Sequence, residues 1–235
     1  MQYPKCLWFA ITTCLLLLAA CNQYQVVYPL QNQPSSISST TTSASSSIPS
    51  SVLINVPFQT QAPLENWDSV HEQACEEASL ILVHSYLNGQ TITAQQMEEQ
   101  IASVISFESE HGYKVDVTVE QLKQIAADLY GLHGTVMTDV TTDSLKRELA
   151  AGHPIIIPAA GRMLGNPYYS GEGPWYHMLV IIGYEDSSFI TNDVGTKHGA
   201  QYHYAYNTLL TAIHDWVGQD DLIATGPKRA LVLTK

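Results

Sequence analysis

At Gly152-His153-Pro154 the hydrophobic period of this chain changes, and the change limits the folds open to it. Before that point apolar residues recur at helical spacing; after it they come in short continuous runs. Ala74, Ala78, Ile81 and Leu82 give a helix over Glu72–Tyr86 one apolar face, with Asn88-Gly89 as its stop. Thr93 with Gln96, and Thr118 with Gln121, are capping-box patterns. They start helices that turn Met97, Ile101, Val104 and Ile105, then Val119, Leu122, Ile125, Ala126 and Leu129, inward. A shorter helix over Thr142–Ala150 buries Leu145 and Leu149. Val52–Phe58 reads as a strand ended by Pro57. Past the switch, Ile155–Ile157, His177–Tyr184, Ser188–Asp193, Tyr202–Tyr206 and Arg229–Leu233 read as strands, with a helix over Asn207–Trp216. A Gly-, Pro- and Tyr-rich loop separates the first two of these strands. Helices first and antiparallel strands second predict an α+β fold whose halves form separate lobes or layers.

The first 51 residues stand apart from this pattern. Leu7 to Ala20 is almost entirely apolar and too short for a comfortable membrane span, so residues 1–20 read as a secretory signal. The segment ends Leu18-Ala19-Ala20-Cys21, which resembles the bacterial lipobox and implies acylation of Cys21. No charged residue lies between Lys5 and Glu65, and Gln31 to Ser51 is mostly Ser, Thr, Gln and Pro. Residues 21–51 therefore read as a disordered tether and 52–235 as one domain. The expected product is an exported bacterial lipoprotein, anchored to a membrane through Cys21 and facing the periplasm or the outside. Ten basic against 22 acidic residues, a formal net charge of −12, argue against a nucleic-acid partner.

Of the four cysteines, Cys6 and Cys14 leave with the signal and Cys21 carries the lipid. Cys75 is then the one side-chain thiol left in an exported domain, which makes it a reactive group or a buried bystander. Its place at a helix start favours the thiolate, because first-turn N–H groups and the helix dipole stabilise negative charge. Glu76 and Glu77 act the other way. His177, the first polar residue before the apolar run Met178-Leu179-Val180-Ile181-Ile182, sits at a strand rim and can serve as the base. Asp193 ends the next strand, one hairpin away, where a carboxylate can fix the imidazole tautomer. Asn192 beside it should point to the opposite face.

These motifs together resemble the bacterial C-39-like peptidases, a papain-fold family related to the bacteriocin-leader peptidases. The resemblance rests on Val-Pro-Phe, Gln-x-Gln-Ala-Pro, a Trp and Ala-Cys-Glu-Glu-Ala-Ser. It continues in Trp-Tyr-His-Met-Leu-Val-Ile-Ile-Gly-Tyr and Thr-Asn-Asp-Val-Gly-Thr. It implies a papain-like fold, Cys75 as nucleophile, His177 as general base, Asp193 as the orienting residue and Gln61 as an oxyanion-hole donor. Gln73 is the alternative to Gln61. Many relatives have glycine where this chain has Glu76, and proline is common where it has Val194. No cofactor is implied; the expected partner is a peptide or protein substrate.

Three other readings stay open on the residues. One is a tethered peptide-binding module that keeps the fold without turnover. The second is an acyl transferase using the same thiol. The third is a metal site at His177, His198, His203 and Asp193, whose spacing matches no familiar zinc pattern. The aromatic loop at Tyr168-Tyr169 and Trp175-Tyr176 either lines a substrate groove or covers the sheet.

Overall fold

The computed structural model describes residues 47–235; the segment read as a signal, Cys21 and most of the expected tether lie outside them. Contact with the domain begins slightly before Val52. Ile48 packs on the core and the Tyr184 hydroxyl donates to the Pro49 carbonyl at 2.9 Å.

Five helices and seven strands follow in the order β1 (Val52–Leu53), α1 (Cys75–Leu87), α2 (Ala94–Glu110), α3 (Val119–Tyr130), β2 (His133–Met137), α4 (Thr142–Ala150), β3 (Ile155–Ala160), β4 (Tyr176–Glu185), β5 (Ser188–Asn192), β6 (Tyr202–Ala205), α5 (Tyr206–Ala212) and β7 (Ala230–Thr234). All strands join one antiparallel sheet in the order β2-β7-β3-β4-β5-β6, with β1 pairing to the far end of β4. The α+β expectation is met: helices pack on an antiparallel sheet.

The capping boxes at Thr93/Gln96 and Thr118/Gln121 form, and a third joins Thr141 to Ser144 ahead of α4. Each satisfies N–H groups that a helix start leaves without intrahelical partners. Gly131 ends α3 in the left-handed region, φ 67°. Every residue of β3, and all of β4 except Glu185, is buried, which is why their sequences run apolar instead of alternating.

Four expectations need correction. The first strand keeps only Val52–Leu53 in the ladder. Beyond it Ile54 N–H still reaches the Ile182 carbonyl, but the carbonyls of Val56 and Pro57 turn to the Asn192 side chain instead. Gly183 permits this crossing, since a Cβ there would lie 2.3 Å from the Val52 carbonyl oxygen. The helix expected over Glu72–Tyr86 is broken at Ala74, where a 3-10 turn over His71–Gln73 gives way to α1. That helix is buried around most of its girth, Glu76 and Glu77 included, because it packs on β3 and β4 as well as on α2 and α3. The last helix stops at Ala212, and Ile213 bridges to Ala159. Finally, β2 comes from the helical half and forms the sheet edge beside β7, so the halves interlock. Among the described residues no helix is long and apolar enough to cross a membrane.

Candidate active site

Cys75 is the first residue of α1, and no side chain caps that helix start. Its Sγ lies against the rim of β4, where it accepts the Met178 N–H at 3.3 Å, one residue along from His177. Cys75, His177 and Gln61 line one cavity of about 560 Å³, with Trp67, Trp175 and Tyr176 among its walls. Sequence reasoning therefore named three residues that the fold brings to one place.

His177 is buried, and its Nε2 meets Asp193 Oδ1 at 2.8 Å. Asp193 follows β5 directly, so the hairpin delivers the carboxylate to the imidazole as expected. With Nε2 engaged, Nδ1 has no hydrogen bond among the described residues and is the nitrogen left for a thiol. Gly195 lies close against the ring, where a Cβ would come within 2.9 Å of His177 Cε1. Its N–H also donates to Asp193 Oδ1 at 3.0 Å. Asn192 points away, bonding Val56 and Pro57, as the alternation of a strand requires.

Asp193 is fully buried, yet it stays ionised. Burial pushes its carboxyl up, but the charge and hydrogen bond of His177, with the hydroxyls of Tyr204 and Tyr169, outweigh burial and hold it at about 2. Those hydroxyls are themselves pushed up by burial and by Asp193, so they remain protonated donors.

The surroundings of Cys75 are of the opposite kind. Its thiol donates to Glu76 Oε2 at 2.9 Å, and no hydrogen bond joins it to His177. Glu76 Oε1 accepts the Val117 N–H at 3.2 Å. Burial, then the charge of Glu76 and its bond, then Glu77, push the thiol well above its ordinary value; the Met178 N–H alone works against them. Glu76 is raised by burial and by Glu77. Glu77 is raised by burial and by Glu108, which reaches across from α2 and is itself raised by burial to about 7. One oxygen each of Glu77 and Glu108 is buried without a partner. The concern attached to Glu76 and Glu77 in the sequence is thus a structural fact, and Glu108 adds to it from outside the motif.

Gln61 is anchored, since its N–H donates to the Val194 carbonyl at 3.0 Å and Nε2 donates to the His71 carbonyl at 2.8 Å. The bond to His71 is the one side-chain bond of Gln61 among the described residues, and its Oε1 is buried without a partner. Gln73 also lines the cavity but is exposed. His71, which sequence reasoning passed over, fixes this corner: Nδ1 meets Asp68 Oδ1 at 2.8 Å and Nε2 meets Glu98 Oε2 at 3.0 Å. Asp68 is a local partner, three residues away, but Glu98 comes from a separate helix, α2, so the sequence around His71 shows only half of the pairing.

The aromatic loop divides its work. Tyr169, Trp175 and Tyr176 line the first cavity, while Tyr168 lines a second of about 590 Å³ and stacks on His198 at 4.3 Å. The Arg162 guanidinium covers the Trp175 ring at 3.5 Å and pairs with Glu172 at 2.9 Å, which pins the loop. The four metal candidates do not converge. His198 is stacked as described, and His203 sits with Ser188 and Glu185. Among the described residues no three ligating side chains share a site.

Comparison with known proteins adds to this geometry. A Bacillus anthracis protein assigned as a C39-like peptidase superposes with a TM-score of 0.51 at 15% identity, covering 79% of this chain and 98% of that one. A cysteine protease of Carica candamarcensis aligns at a TM-score of 0.39 and 13% identity, over 80% of this chain and 99% of its own. No curated protein matches the chain. Residues 53–219 match the Peptidase_C39 like family, so this chain belongs to that family and is a cysteine peptidase-like protein.

Proposed function

We propose that the protein is a membrane-tethered, extracytoplasmic thiol hydrolase that cleaves peptide or amide bonds. The supporting observation is the imidazole of His177, held through Nε2 by the ionised Asp193, with Nδ1 left without a hydrogen bond, lining the same cavity as Cys75. In this reading His177 Nδ1 takes the Cys75 proton and the thiolate attacks the substrate carbonyl. Gln61 Nε2 and the Cys75 N–H receive the oxyanion. The imidazolium returns its proton to the leaving amine, a thioester remains, and a water deprotonated by His177 releases the acid.

Incubation with a peptide library, read by mass spectrometry, tests it. The wild-type protein should produce new termini and Cys75→Ala none; equal products from both would reject the thiol mechanism. One observation favours a second reading. The thiol is buried and bonded to Glu76, as suits a binding module that keeps the peptidase fold without turnover. Saturable peptide binding with no product in the same assay would select it. Adding a primary amine separates hydrolase from acyl transferase by the ratio of amide to free acid, because a transferase passes the thioester to the amine in preference to water. The tether is read independently: lipid labelling of the protein should disappear in Cys21→Ser.

A further inference from the structure

We propose that Tyr169 and Tyr204, with Asn166, are positioning residues that lock the Asp193 carboxylate and divide its charge, so that the His177 imidazolium stays acidic enough to protonate a leaving group. The proposal deepens the reading of His177 given above and rests on it.

The Asp193 carboxylate receives five donors. Oδ1 takes His177 Nε2 at 2.8 Å and the Gly195 N–H at 3.0 Å. Oδ2 takes the Tyr204 hydroxyl at 2.6 Å, the Tyr169 hydroxyl at 2.7 Å and Asn166 Nδ2 at 3.1 Å. Asn166 Nδ2 also donates to the Tyr204 oxygen at 2.8 Å, which orients that hydroxyl toward the carboxylate. Two or three bonds are enough to keep a buried carboxylate ionised. The excess falls on the oxygen that does not touch His177.

The consequence is electrostatic. A buried carboxylate facing an imidazolium with little other support would hold its proton strongly and make it a poor general acid. Three donors on Oδ2 draw charge from Oδ1 and weaken that hold, while keeping the carboxylate from rotating. Tyr169 also presents its ring edge-on to His177, with centroids 5.5 Å apart, so the residue that bonds Oδ2 fixes the imidazole plane as well. The titratable groups facing Asp193 are His177 from β4, Tyr169 from the aromatic loop, and Tyr204 and Tyr202 from β6. His177 in turn shares its cavity with Cys75 from α1, whose thiol is bonded to Glu76.

The test follows the His177 imidazole directly by NMR across pH 4 to 10 in wild type, Tyr169→Phe, Tyr204→Phe and a Tyr202→Phe control; Tyr202 makes no hydrogen bond to Asp193. Loss of either hydroxyl should move the imidazole titration to higher pH by roughly 0.3 to 1 pH unit, and the control should not move. In an Asp193→Asn background the same tyrosine changes should move it no further. Coincident titrations in folded wild type, Tyr169→Phe and Tyr204→Phe overturn the proposal, as does an equal shift in the control. Cys75 alkylation in the same proteins and in His177→Ala separates the two ideas. If His177 responds to the hydroxyls while alkylation ignores His177, the carboxylate lock stands and the thiol–imidazole mechanism falls. If alkylation depends on His177 but neither hydroxyl moves the imidazole, the lock falls and the mechanism stands.

Discussion

The two sides of the candidate site are built on opposite principles. On the sheet side, Asp193 is buried with more donors than ionisation requires, and its partner His177 is held in one orientation. On the helix side, three carboxyls crowd behind a buried thiol, two of them with an oxygen that meets no partner. Both regions bury acidic groups, yet one is held at about 2 and another is pushed up to about 7. The difference lies in what arrives opposite the carboxyl: an imidazole and hydroxyls in the first case, further carboxyls in the second. A buried acid is therefore a fixed charge where donors converge and a proton store where acids converge. The sheet side is preset for its role, and the helix side opposes the thiolate that the proposed chemistry needs.

Each side can be perturbed separately. The largest effect is expected from Gly195→Ala, whose methyl would meet His177 Cε1 at 2.9 Å and His177 Nε2 at 3.1 Å. Displacing the ring by a fraction of an ångström to one ångström should cost about 10²-fold in turnover while Cys75 remains titratable. Unchanged turnover would mean that the sheet side is looser than its bonds imply. Next comes Glu76→Gln, which takes away the carboxyl that accepts the thiol's hydrogen bond and whose ionisation opposes the thiolate, and supplies an amide donor in its place. Alkylation of Cys75 at pH 7 should rise by roughly 10-fold, since one pH unit of thiol shift is a tenfold change in thiolate. A fall in rate would identify Glu76 as a participant in activation.

The smallest effect concerns stability. Burial raises Glu108 from its ordinary 4.5 to about 7, so the folded chain binds this proton more tightly than the unfolded one. The associated stability is fully present below about pH 4.5 and is lost as pH rises to about 7. Glu108→Gln should therefore gain about 1 to 2 kcal/mol above pH 7, a Tm rise of roughly 2–4 °C per kcal/mol, and little at pH 4. Equal changes at both pH values, measured by thermal melts, would show that the α1–α2 acids do not share a proton store.

How much of this was legible beforehand depended on the range of the interactions. Helix starts at Thr93 and Thr118 are written in three-residue patterns, and both formed as read. Cys75, His177 and Asp193 could be named because each sits at a helix start or a strand end, positions that periodicity marks. Strand β2 could not: His133–Met137 is an edge segment with only partial burial, so it carries no apolar alternation. The same holds for the partners around the site. Asn166 and Tyr204 reach Asp193 across gaps of 27 and 11 residues, and Glu108 reaches Glu77 from another helix. Their roles come from tertiary approach, for which a local pattern holds no record. The apolar-face reading of α1 was incomplete for a related reason: Ala74, Ala78, Ile81 and Leu82 are buried as read, but a helix packed on most sides buries more than one stripe.

The central claim is that Cys75 and His177 act as a pair, and alkylation tests it most directly. Cys75 should be labelled with limiting iodoacetamide across pH 5 to 9 in the wild-type protein and in His177→Ala. The account predicts His177-dependent labelling below about pH 8, where an isolated thiol reacts slowly, with the variant reacting only as pH approaches the raised range that burial and Glu76 impose. Superimposable profiles, both rising only at alkaline pH, would contradict it.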